Sequence, residues 1–121
     1  MSNKALTTFL VVEDDEIDIM NMERAFRKLG VLNPLKFARN AIQAEEMMNR
    51  DLPKDLALIV DLNTPMYSGH DLIGKIREQE KFENVPIFVL TTSKMAVDIK
   101  DARKHQVNGY FVKEMSQEAF S

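Results

Sequence analysis

The chain reads as an α/β protein, a doubly wound parallel sheet with helices on both faces. Short apolar runs that lack the alternation of a half-exposed sheet recur along it, as strands buried on two sides do. Between them lie stretches with apolar residues at three-and-four spacing. Strand and helix alternate five times, the last helix being very short, and such a βα repeat closes into a parallel sheet. The length, 121 residues, predicts one domain spanning 1–121. A chain of that size buries roughly two-thirds of its unfolded surface.

The first run, Phe9 to Val12, is read as a strand that meets the acids Glu13 to Asp18 at once. Ile19, Met22, Phe26 and Leu29 then predict a helix that stops at Gly30, a C-cap. Leu35 to Ala38 alternates apolar and polar residues, as an edge strand does. Asn40 caps a second helix carrying Ile42 and Met47, with Gln43 three residues on as in a capping box. Leu56 to Val60 is the third strand, and Leu72, Ile73 and Ile76 mark a helix after Gly69. Ile87 to Leu90 follows, then a helix with Val97, Ile99 and Ala102 for which Ser93 is the cap. Tyr110 to Val112 is the last strand, with Met115 and Phe120 in a short final turn.

Composition narrows function. There are no cysteines, which removes disulfides, thiolate nucleophiles and iron–sulfur clusters. A net charge of −3 argues against a nucleic-acid footprint. No stretch approaches the roughly 18 apolar residues of a membrane span, and Phe9 to Val12 is too short for a signal-peptide core. A cytoplasmic protein without membrane or nucleic-acid partners is the expectation.

Parallel sheets place their sites outside the carboxyl ends of the strands. The residues found there are Glu13 to Glu16, then Asp61 to Pro65, then Thr91, Thr92 and Ser93, then Lys113. Taken singly, each has an ordinary explanation: an acidic run favours a helix start, and an Asp after a strand suits a turn. Together they describe a pocket. Carboxylates 4 Å apart repel by roughly 4 kcal/mol at an effective dielectric of 20, so a cluster needs protons or a cation. Oxygen-only ligands suit Mg2+. Metal, lysine and hydroxyl around one carboxylate make a site for a phosphoryl group, and an aspartyl phosphate is an established covalent intermediate.

The segments VVEDDE (Val11 to Glu16), VDLNTPMYSG (Val60 to Gly69), PIFVLTTS (Pro86 to Ser93) and GYFVK (Gly109 to Lys113) resemble the bacterial response-regulator receiver domain, in order and at its spacing. The resemblance runs from Phe9 to Lys113 and is that of a single-domain, chemotaxis-regulator-like receiver; the Thr91, Thr92, Ser93 triplet is similar to phytochrome-associated regulators. It implies a flavodoxin-like five-stranded sheet of order 2-1-3-4-5. It makes Asp61 the phosphoacceptor in a two-component system, with Mg2+ held by Glu13, Asp14, Asp61 and the backbone carbonyl of Asn63. Thr91 becomes the switch hydroxyl, Tyr110 the aromatic that turns inward, and Lys113 the phosphate-binding cation. Asp15 and Glu16 fall outside the motif and go to the start of the first helix. The implied donor is a sensor histidine kinase or phosphotransfer protein, and the output is changed contact with a downstream protein. The chain would not be an enzyme beyond its own phosphotransfer and autodephosphorylation.

Three departures qualify the resemblance. Glu114 stands where receivers have a proline after a cis bond, and a cis bond costs about 3–4 kcal/mol before other residues. Either that bond is strained or Lys113 sits differently. Thr92 replaces a smaller residue and narrows access to Asp61. Eight residues follow Lys113, so the last helix is short or truncated, and the sheet face it leaves is expected to meet a partner or a second copy in a homodimer.

His70 is assigned to a surface or capping role, His105 to the dipole at the end of the fourth helix, Met47 and Met48 to the core, and Met95 to an interface. A haloacid-dehalogenase-type enzyme wants a second acid where Asn63 stands, and a nucleotide-binding domain wants a Gly-rich loop that four scattered glycines do not make. A receiver-like scaffold working without phosphorylation is the remaining alternative.

Overall fold

The computed structural model describes residues 6–50, 55–62, 69–92 and 94–113. Its elements are β1 (Thr8–Val12), α1 (Glu16–Lys28), β2 (Leu35–Ala38), α2 (Ala41–Arg50), β3 (Leu56–Val60), α3 (Gly69–Glu78), β4 (Ile87–Thr91), α4 (Ala96–Lys104) and β5 (Gly109–Val112), with a short 3-10 turn at Glu80–Phe82. The five strands lie in the order β2-β1-β3-β4-β5, all parallel. That is the expected doubly wound sheet. The expected final turn and the Lys113–Glu114 peptide lie outside the described residues.

The central strands are buried on both faces, which explains their lack of alternation: Leu10, Val11, Val12, Leu58, Val60 and Val89 are all nearly inaccessible. Residues on the helices complete the core, chiefly Leu72, Ile73 and Ile76 of α3. Asp15 starts α1, its Oδ1 accepting the N–H groups of Ile17 and Asp18 at 2.8 and 3.1 Å. Gly30 ends it at φ +76°, with its N–H on the Arg27 carbonyl and the Val31 N–H on that of Phe26, a Schellman motif. Asn40 accepts from the Gln43 N–H at 2.8 Å, while the Gln43 side chain accepts from Arg39 rather than from Asn40 itself.

The apolar residues that mark the helices in the sequence do not all face the core: Leu29, Ile42 and Val97 are 77%, 43% and 54% exposed. On α2 the buried stripe is Ala41, Ala44 and Met48, small residues that let the helix approach the sheet, and Ile42 lies one position around from it. On α4 only Ala102 is buried. Met95 holds the N-cap position of α4 and has no oxygen to offer, so its side chain makes no capping bond, and Ser93, expected as the cap, lies outside the described residues.

Candidate functional site

Strand register builds the site. Val12 pairs with Val60, Val60 with Val89 and Thr91 with Val112, so the residues that follow emerge side by side along one edge. Backbone bonds hold them there: the Asp61 N–H donates to the Val12 carbonyl at 3.1 Å, the Glu13 N–H to Ala38 at 2.9 Å, and the Lys113 N–H to Thr91 at 2.6 Å.

At their centre the Lys113 ammonium donates to Glu13 Oε1 at 2.9 Å, Asp61 Oδ2 at 2.9 Å and Asp18 Oδ2 at 3.1 Å. One cation therefore faces three carboxylates, and oxygens of those three acids lie within 4.8 Å of one another. Glu13 is almost wholly buried, at 2% exposure. Burial pushes its carboxyl up to about 7 from 4.5; Lys113 opposes that shift, and neighbouring Asp61 adds to it. Burial pulls the Lys113 ammonium down, yet the hydrogen bonds and charges of Asp61 and Glu13 outweigh it and hold the group above its ordinary value.

The structure thus brings Glu13, Asp61 and Lys113 together and adds Asp18. Asp14 stands exposed, and its carboxylate is not in that group. Asn63 lies outside the described residues. Thr91 is fully buried at the end of β4, and its carbonyl accepts from the Lys113 N–H. Tyr110 is half-buried, opposite Val89, and packs on the core. Thr92 is exposed.

Asp18 went unnoticed because an acid in a first helical turn has an ordinary explanation in the helix dipole. The available signal was positional. Asp18 is the third residue of a helix that starts just past the end of β1, and the Asp15 cap, which accepts the Asp18 N–H, fixes that turn beside the sheet edge. His70 also needed correction: rather than lying on the surface or capping, its ring is four-fifths buried, with Nε2 3.1 Å from Asp98 Oδ1 on α4. His105 is the α4 C-cap, its Nδ1 3.1 Å from the Asp101 carbonyl, in keeping with the dipole role. Met95, assigned to an interface, is 63% exposed.

The family described as the response regulator receiver domain matches residues 9–121. This chain belongs to it. The receiver is 31% identical over 104 residues to the chemotaxis protein CheY1 of Helicobacter pylori, covering 86% of this chain and 82% of that one. Its fold matches that of a phosphorylated cyanobacterial phytochrome response regulator, RcpA, with a TM-score of 0.82 at 24% identity, over 96% of this chain and 86% of the other. The receiver domain of the Pseudomonas aeruginosa sensor histidine kinase PA1611, with a magnesium ion in its active-site cleft, superposes with a TM-score of 0.75 at 26% identity, over 95% and 91% of the two chains. Receivers are signalling modules of two-component systems, and in this one no helix among the described residues is long and apolar enough to cross a membrane.

Proposed function

We propose that this receiver accepts a phosphoryl group on a carboxylate oxygen of Asp61 from the phosphohistidine of a sensor kinase or phosphotransfer protein, and signals by changing its contacts with a downstream protein. The observation that carries the reading is the single lysine ammonium shared by Glu13, Asp18 and Asp61 at the sheet edge. An excess of anions this close, with oxygen donors only, fits a small hard divalent cation. Mg2+, held by Glu13, Asp14, Asp61 and the Asn63 carbonyl, would supply charge neutralisation for incoming phosphoryl oxygens.

The chain's own groups do the rest. Asp61, fixed by its backbone bond to Val12, presents an oxygen to phosphorus; the new P–O bond forms as the P–N bond breaks and the electron pair leaves with the imidazole. Lys113 exchanges its bond to Asp61 for one to a phosphoryl oxygen, while Asp18 and Glu13 keep the ammonium in place. The buried Thr91 hydroxyl turns toward the added oxygens, and the space it leaves admits the half-buried Tyr110 ring. The two packings differ in population because the phosphoryl group favours one.

Incubation with acetyl phosphate or beryllofluoride and Mg2+ tests this. Intact-mass and peptide mapping should place one adduct on Asp61, and Asp61→Asn should abolish it completely. No adduct under saturating conditions overturns phosphotransfer and leaves the scaffold reading.

A further inference from the structure

We propose that His70 and Asp98 form a latch that ties the start of α4 to the backbone just beyond Asp61, making α4 a lever hinged at its other end. The two ends of α4 are held by different means. At the C-terminal end, the Arg77 guanidinium of α3 donates to the carbonyls of His105 at 3.0 Å and Gln106 at 3.1 Å. The His105 ring fills the space above Gly74, where an added methyl would come within 3.2 Å of Nε2. Ala102, the buried residue of α4, lies in the same half. This end is anchored by packing and by several bonds.

The N-terminal end is less closely packed among the described residues. Met95, Ala96 and Val97 are exposed, the Met95 side chain makes no capping bond, and no residue of the first turn is buried. Across this end runs the His70–Asp98 pair, Nε2 to Oδ1 at 3.1 Å, with both side chains mostly shielded from water. Shielding strengthens such a bond relative to an exposed pair. The Nδ1 atom of His70 is buried with no partner among the described residues. The ring is therefore oriented through Nε2.

The other side of the latch leads to the acceptor. Gly69 donates its N–H to the Leu62 carbonyl at 3.1 Å, and a Cβ at Gly69 would lie 2.7 Å from Leu62 Cα and 3.0 Å from the Asp61 carbonyl oxygen. The first residue of α3 is thus pressed against the peptide units that follow Asp61. A shift in that backbone moves His70 directly, and through Asp98 it moves the N-terminal half of α4. This link stands on geometry whether or not Asp61 is ever phosphorylated.

Amide hydrogen exchange on the whole chain tests it, with no phosphoryl donor present. His70→Phe keeps the ring volume and removes the bond; Asp98→Ala removes the acceptor. Each should raise exchange at residues 97–100 by about three- to tenfold, the worth of one shielded bond, with residues 102–108 unchanged. The double variant should match either single one, and the swapped pair His70→Asp with Asp98→His should restore slow exchange. Unaltered exchange at 97–100 in the single variants overturns the latch. So does a rise spread equally over β1, β3 and α4, which marks general destabilisation.

Discussion

Two partly buried cations, Lys113 and Arg77, organise this receiver in opposite ways. Lys113 gathers three carboxylates from α1 and the ends of β1 and β3. Among the described residues Arg77 gathers neutral oxygens only: the carbonyls of Phe82, Glu83, Val85, His105 and Gln106, and the side-chain oxygen of Asn108. Around Arg77 the charge is shared among dipoles that are fixed in the backbone, and nothing is gained by exchanging one for another. Around Lys113 the anions outnumber the cation, and each carboxylate would accept a different partner. One arrangement holds the fold and the other is ready to be rearranged. The same physics of burying a cation produces either outcome, according to whether its partners are neutral or charged.

The comparison is sharpest where Arg77 is removed. Arg77→Met should cost about 3 kcal/mol in chemical denaturation, because several partly buried carbonyls lose their donor at once. That loss should be nearly independent of pH between 5 and 8, since none of the groups left behind titrates. A smaller loss, about 2 kcal/mol at pH 7, is expected for Lys113→Met, which leaves three carboxylates facing each other. This one should shrink toward pH 5, as protonation relieves the repulsion. Equal pH dependence of the two variants would break the distinction.

Glu13 gives a subtler effect. Its carboxyl titrates at about 7 in the folded chain against an ordinary 4.5, so the folded state holds the proton more tightly than the unfolded one. The favourable contribution is complete below pH 4.5 and fades as pH rises to about 7. Glu13→Gln should therefore flatten the stability profile over that window and raise stability at pH 7 by on the order of 1 kcal/mol. A steeper profile in the variant would contradict the assignment of burial as the cause. Asp18→Asn should have the smallest effect on stability, within about 0.5 kcal/mol, because Asp18 is the most exposed of the three acids. Yet it should slow adduct formation on Asp61 several-fold by loosening Lys113, a difference that timed intact-mass measurements resolve.

What could be read from residue order was the part of the molecule that depends on local pattern. All five strands lie within one residue of their expected bounds, since a doubly buried strand shows itself as an unbroken apolar run. The residue after each run then falls at the sheet edge whatever else happens, which is why Glu13, Asp61, Thr91 and Lys113 were found. Helix faces were read less well. Ile42 and Val97 mark their helices without facing inward, whereas Ala41, Ala44 and Ala102 hold the buried face.

Periodicity along the chain, then, is enough to specify a parallel sheet and the side chains at its rim, because both follow from which way successive residues point in an extended strand. Folding in three dimensions alone chose the partners of polar helix residues. Asp18 meets Lys113 across 95 positions and His70 meets Asp98 across 28. Each residue turns a helix by about 100°, so a small rotation of α1 or α4 over the sheet would send these side chains to water instead. Only the packing of buried neighbours sets that rotation, and polar residues carry no trace of it in their order.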